Sequence, residues 1–195
     1  MAASASIRAF IAIALEPGLI AGLQKIQQEL QAKLPGNPVR WVKPEQLHLT
    51  LRFLGNVPKD SMDNLAAALH RAAAGVAPLR LVLEGAGCYP NRDSPRVVWV
   101  GIRGDLDSLR GLQAQIEQEA QAFGDHTDER VFQPHLTMGR VTAGAIPARK
   151  VGEVIERAAV PKLGDWTVRQ ILLMQSELSS GGARYTTLAA VPLNP

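Results

Sequence analysis

Two stretches decide how this chain folds: Gln46-Leu-His-Leu-Thr-Leu51 and Gln133-Pro-His-Leu-Thr-Met138. Both place His-Leu-Thr-apolar where polar and apolar residues alternate, the period of a half-buried strand. Successive side chains of a strand point to opposite faces. His48 and Thr50 are thus expected on one face, with Leu49, Leu51 and Phe53 on the other. The same parity sets His135 and Thr137 against Leu136 and Met138. Each copy lies downstream of one amphipathic helical pattern and upstream of another, which reads as an internal repeat. Two α+β lobes in a single domain over residues 1–195 are expected, one presenting residues 48–51 and the other 135–138.

Working outward, Arg8-Ala-Phe-Ile-Ala-Ile-Ala-Leu15 reads as a strand, and Pro17-Gly18 breaks it before Leu19, Leu23, Ile26, Leu30 and Leu34 recur at helical spacing. Val39–Val42 is a short apolar run before the first motif. An Ala-rich helix follows Pro58 through Leu65 and Leu69 and fades at Gly75. Leu79–Leu83, a Gly-rich bend through Gly85 and Gly87, and Arg96–Ile102 suggest a hairpin. Leu109, Leu112, Ile116, Ala120 and Phe123 mark another helix, and Gly124–Arg130 is a polar loop leading to the second motif. A helix from about Pro147 to Ala158 precedes strands around Val168–Leu178 and Tyr185–Val191, with Ser179-Ser-Gly-Gly182 as their turn.

The 195 residues suffice for a real core, and 46% hydrophobic with 20% charged residues excludes disordered and collagen-like classes. A net charge of +3 suits an anionic ligand without resembling a nucleic-acid-binding tail. Cys88 is the only cysteine, so an intramolecular disulfide is impossible and a reducing, cytoplasmic setting is expected. No apolar run approaches the roughly 20 residues of a membrane span.

Bringing the two polar strand faces together makes a site of two imidazoles and two hydroxyls. With an unperturbed pKa of about 6.5, one imidazole can accept a proton while the other donates one near neutral pH. The hydroxyls of Thr50 and Thr137 can donate to the oxygens of a phosphate held between them.

The stretches Trp41-Val-Lys-Pro-Glu-Gln-Leu-His-Leu-Thr-Leu-Arg-Phe-Leu-Gly55 and Phe132-Gln-Pro-His-Leu-Thr-Met-Gly-Arg140 closely resemble the paired His-x-Thr-x motifs of the 2H phosphoesterase superfamily, in its RNA 2′,3′-cyclic phosphodiesterase (2′-5′ RNA ligase-like) branch. Arg8–Ile13, Pro95–Gly101 and Ser176–Tyr185 resemble further blocks of that branch, so the resemblance spans nearly the whole chain. It implies a bilobal fold with two antiparallel sheets facing across a cleft and helices outside. It also implies a hydrolase, independent of metal and cofactor, that opens an RNA-terminal 2′,3′-cyclic phosphate to a 2′-phosphate. His48 would be the proton donor to the departing O3′, and His135 the base that activates water. Thr50, Thr137 and Arg140 would hold the phosphate, although Arg140 needs a bulge or strand end at Gly139 to reach the cavity. Phe10 is a candidate stacking face for a terminal base, set against an ordinary core position. The partner implied is RNA with a cyclic phosphate terminus, tRNA fragments included, and a monomer without membrane attachment is expected. Reversal would give 2′-5′ ligation.

The alternatives are a related esterase for small cyclic nucleotides or ADP-ribose cyclic phosphate, and an RNA-end-binding module without turnover. His70 and His126 read as solvated. Asp125, His126, Asp128 and Glu129 lack a metal-ligand pattern. Trp41, Trp99 and Trp166 read as packing residues, Cys88 as an inert thiol, and Arg40, Lys43, Arg52, Arg92, Arg96 and Arg184 as dispersed surface cations.

Overall fold

In chain order the elements are β1 (Ser6–Ala14), α1 (Pro17–Ala32), β2 (Val39–Trp41), β3 (His48–Pro58), α2 (Met62–Ala73), β4 (Leu79–Tyr89), β5 (Val97–Gly104), α3 (Leu106–Glu119), β6 (His135–Val141), α4 (Ala148–Glu156), β7 (Asp165–Val168), β8 (Gln170–Ser179) and β9 (Gly182–Pro192). They come from a computed structural model that describes residues 5–126, 131–142, 146–158, 160–179 and 182–194. Asp128, Glu129, Ser180 and Gly181, which fall in the loop and turn read from sequence, lie outside the described residues.

The strands form two antiparallel sheets, one ordered β3-β1-β8-β9 and the other β2-β6-β5-β4-β7. Each carries one motif strand, β3 or β6, and these two strands pack together where the sheets meet. Neither sheet is a contiguous half of the sequence: β8 and β9, from the end of the chain, complete the sheet begun by β1 and β3, while β2 edges the other sheet.

Alternation explains the core. Ala9, Ile11 and Ile13 of β1 and Leu49, Leu51 and Leu54 of β3 are buried together, as are Val98 and Val100 of β5 with Leu136 and Met138 of β6. The helical stripe read from sequence is the buried face of α1, with Leu19, Leu23, Ile26 and Leu30 turned inward. The Gly-rich stretch is not the bend expected there. Strand β4 continues through it to Tyr89, with a register irregularity between Leu83 and Ala86, because the glycines leave room for a large neighbour. A Cβ on Gly87 would stand 2.3 Å from the Trp99 ring.

Both motif strands carry a β-bulge at the same place. On β6, Trp99 opposes Thr137 and Val98 opposes Gly139, so Met138 is the extra residue. On β3, Ala12 opposes Thr50 and Ile11 opposes Arg52, so Leu51 is the extra residue. The bulges are held crosswise. Gln27 of α1, buried in the apolar stripe, donates from Nε2 to the carbonyls of Met138 (3.0 Å) and Val42 (2.9 Å). Gln113 of α3 donates from Nε2 to the carbonyl of Leu51, a long bond at 3.5 Å. Arg52, next after the first bulge, is buried and reaches α3, pairing with Glu117 Oε2 (2.7 Å) and donating to the Glu117 carbonyl (2.6 Å). Each helix that precedes one motif in the chain therefore supports the bulge of the other motif.

Removing a donor from buried carbonyls costs about 1–3 kcal/mol. The Gln27→Ala variant is accordingly expected to lose about that much stability in urea unfolding while Gln31→Ala, on the exposed side of α1, loses less than half a kcal/mol. Equal losses for the two would show that Gln27 does not secure the second bulge.

Candidate active site

Residues directly opposite in an antiparallel pair carry their side chains on the same face. On β5, Val97, Trp99, Gly101 and Arg103 alternate onto one face, opposite Arg140, Thr137 and His135 respectively for the first three. His135, Thr137 and Arg140 thus share the cleft face. The odd spacing of Arg140 from His135 is absorbed by the bulge at Met138, one residue earlier than the Gly139 position at which the sequence required a break.

Phe53 likewise departs from plain alternation. Ala14, Ala12 and Phe10 of β1 stand opposite His48, Thr50 and Phe53. The bulge at Leu51 therefore turns Phe53 onto the face of His48, not onto the core face that unbroken alternation assigns to it. Phe53 is 48% exposed. Phe10 lies on the same face at 2% exposure, beneath the rings of His48 (centroids 4.9 Å), Tyr185 (5.0 Å) and Phe53 (6.1 Å). It is the floor under His48 and offers no free ring face to a base. Phe53 keeps an exposed ring, with His126 edge-on to it.

The surroundings of the two histidines match. Nδ1 of His48 faces the carbonyl of Gln46 at 2.7 Å, and Nδ1 of His135 faces the carbonyl of Gln133 at 2.8 Å. A carbonyl oxygen only accepts, so each Nδ1 carries its proton, and each Nε2 is left for chemistry. A tyrosine stands edge-on to each ring, Tyr185 to His48 (5.3 Å) and Tyr89 to His135 (4.9 Å). The glutamine side chains anchor the supporting carbonyls: Gln46 Nε2 donates to the Ala183 carbonyl, and Tyr89 donates from its hydroxyl to Gln133 Oε1 (3.0 Å). The hydroxyls of Thr50 and Thr137 have no hydrogen-bond partner among the described residues, which leaves them free to donate to a ligand.

Cations line the cleft. Arg140 lies directly opposite Arg40 of β2. Like charges in that position repel, and neither is ion-paired with a carboxylate among the described residues, so an anion between them would relieve the repulsion. Arg8, two residues before Phe10, shares that face of β1. Burial raises the Tyr185 phenol pKa, while the charges of Arg140 and Arg8 pull it down. Of the other cations, Arg52 is buried and Arg92 is tied to Glu156 at 2.9 Å.

Burial lowers the His48 pKa from its ordinary value, and the bond to the Gln46 carbonyl only partly offsets this. The Cys88 thiol is pushed up to about 11 by burial and by Glu156, so it stays protonated. The Asp125 carboxylate accepts from the backbone N–H (2.7 Å) and side-chain amide (2.9 Å) of Asn56, which holds its pKa low and ties its loop to the end of β3. Trp166 is buried as expected, whereas Trp99 stands on the cleft face. Sequence reading missed Gln27, Gln113, Phe53, Tyr89 and Tyr185 as parts of the site. The available signal for the two helical glutamines is a polar residue set into an apolar stripe, four positions after Leu23 and Leu109.

Two antiparallel sheets that each bring a His-x-Thr strand to a common cleft define the two-histidine phosphoesterase class. The family model for LigT-like phosphoesterases matches twice, at residues 13–99 and 100–185. An RNA 2′,3′-cyclic phosphodiesterase of Methanothermobacter thermautotrophicus is 33% identical over 182 residues, covering 93% of this chain and 96% of its own. One from Thermus thermophilus is 34% identical over 187 residues, covering 93% and 88%. Among solved structures, Escherichia coli LigT complexed with 3′-AMP superposes with a TM-score of 0.76 at 28% identity, covering 98% of this chain and 100% of that one. The chain belongs to the LigT-like phosphoesterase family.

Because His48 resists protonation when folded, the unfolded chain binds more protons between the lowered His48 pKa and about 6.5. Stability is expected to fall as pH drops through that window, and His48→Gln is expected to remove that part of the slope. Thermal melts of both proteins between about pH 7.5 and about pH 5 measure it. Superimposable slopes would contradict the burial argument.

Proposed function

We propose that the enzyme hydrolyses the 2′,3′-cyclic phosphate at the end of an RNA to a 2′-phosphate, using His48 and His135 as its proton-transfer pair. The observation that carries this is the duplicated arrangement itself: two imidazoles, each with Nδ1 engaged by the carbonyl two residues back and Nε2 left for chemistry, on two motif strands that pack together where the sheets meet. One group can then deprotonate water while the other protonates a leaving oxygen, with no need for a shuttle. The names of the relatives, RNA 2′,3′-cyclic phosphodiesterases, supply the substrate class.

In the proposed step, Nε2 of His135 takes a proton from water as its oxygen forms a bond to phosphorus. The bond from phosphorus to O3′ breaks, and Nε2 of His48 gives O3′ its proton. Hydroxyls of Thr50 and Thr137 donate to the two non-bridging oxygens, and Arg140 with Arg40 offsets their charge. Burial keeps His48 neutral in the empty site, and the arriving phosphate reverses that preference, since a nearby anion favours the imidazolium. The acid is therefore armed by the substrate. Phe53 offers its exposed ring to the terminal base, a role in keeping with the stacking of unpaired bases on aromatic side chains.

The test is a short RNA ending in a 2′,3′-cyclic phosphate, incubated with enzyme in excess EDTA and followed by ³¹P NMR. A 2′-phosphate is the expected product. Replacing either histidine by alanine should lower kcat by about 10²–10⁴-fold, and replacing either threonine should cost less. Retained turnover in either histidine variant would exclude the two-imidazole step. RNA binding without product would favour a binding module, and faster turnover of mononucleotides than of oligomers would favour a small-molecule esterase.

Phe53→Ala removes a stacking surface and leaves the proton-transfer groups in place. It should raise KM by roughly five- to a hundredfold, the worth of one stacked base, with kcat changed far less. A loss confined to kcat would place Phe53 in support of His48 and not under a base.

A further inference from the structure

The cleft face of the second sheet continues past His135. Gly101 stands opposite His135, and Arg103 lies two residues further along β5 on the same face, about 7 Å on. There a cavity of about 540 Å³ opens, walled by Tyr89, Trp99, Phe132, Gln133, Arg103 and Arg110. It adjoins the proposed chemistry at Tyr89 and Gln133, the pair that anchors the carbonyl behind His135. Its volume falls in the range of sites for small organic ligands. Trp99 and Tyr89 pack ring to ring (5.3 Å, 35°), giving an aromatic wall whose free edge is the cavity. The indole N–H of Trp99 is the only buried side-chain donor or acceptor without a partner among the described residues. Arg103 and Arg110 are both exposed, and Arg110 is bridged only to Asp107, one turn back on α3 and itself open to solvent. One carboxylate, Glu84, also lines the cavity, close enough to Lys162 to act on its ammonium.

Aromatic rings and guanidiniums lining one cavity are the chemistry that holds a single-stranded nucleotide: the rings take the base and the cations its phosphate. We propose that this cavity is the subsite for the nucleotide preceding the one that bears the cyclic phosphate, so that the enzyme reads an RNA end as at least two nucleotides. The inference rests on the function proposed above. It assigns to Trp99, Arg103 and Arg110 a choice of substrate and no part in bond making.

The experiment compares kcat/KM for a 2′,3′-cyclic mononucleotide with that for a dinucleotide ending in the same cyclic phosphate. The intact enzyme should favour the dinucleotide by roughly tenfold or more, the scale of one stacked base with its phosphate contact. That ratio should fall toward one in Arg103→Ala/Arg110→Ala and in Trp99→Leu, and persist in Trp99→Phe, which keeps a ring in the wall. A ratio near one in the intact enzyme, or a ratio unmoved by the double arginine variant, overturns the subsite while leaving the proposed activity standing. If neither compound is turned over, the activity fails, and calorimetric titration with the 2′-phosphorylated mononucleotide and dinucleotide still decides the subsite: tighter dinucleotide binding supports it, and equal affinities overturn it.

Discussion

Which side chains follow the threonines into the cleft depends on the extra residue just after each Thr, Leu51 or Met138, and on the side-chain amide that reaches for its carbonyl. Without the bulge at Met138, Arg140 would turn into the core, where an unpaired guanidinium is prohibitively costly to bury. Without the bulge at Leu51, Phe53 would turn inward and Arg52 outward, and the pair to Glu117 that fastens β3 to α3 would be lost. A bulge breaks the ladder locally and leaves backbone groups that must find partners elsewhere. Gln27 and Gln113 supply them from helices that the chain lays down long before or after the strand concerned.

This crossed support orders the site from the outside inward. The helices fix the bulges, the bulges fix which side chains beyond the threonines reach the cleft, and the carbonyls of Gln46 and Gln133 fix the ring orientation of the histidines within it. The aromatic residues complete the enclosure. Phe10 and Tyr185 close around His48 and remove water from it, which is what lowers its pKa. His135 has a tyrosine but, among the described residues, no ring packed on it as Phe10 is on His48; its tyrosine packs in turn on Trp99, which lines a cavity. The repeat thus sets the bulge after each Thr alike and lines the two histidines differently.

What could be read in the sequence follows from the same physics. His48, Thr50, His135 and Thr137 precede their bulges, so simple alternation places them correctly. Phe53 and Arg140 follow the bulges, and alternation places both on the wrong side; the need for a break was visible at Arg140 because a charged residue facing a core demands an explanation, while a phenylalanine facing a core demands none. Phe10 had the right face but no free surface, because what covers it comes from β3 and from β9, far away in sequence. The helices were legible from their apolar spacing. Their exchange between sheets was not, since a stripe of leucines records that a face is covered without recording by what.

That exchange bears on where such a chain could have come from. A half-length polypeptide carrying one motif would hold a bulge without its glutamine and a glutamine without its bulge. Two identical copies meeting about a two-fold axis would each supply what the other lacked, as subunits of an isologous dimer do. Joining them end to end turns that association into an intramolecular one, no longer dependent on protein concentration, and releases the two clefts' linings to diverge. A phenylalanine can then stand exposed on one side while an arginine takes the equivalent place on the other, a difference that no dimer of identical chains could make.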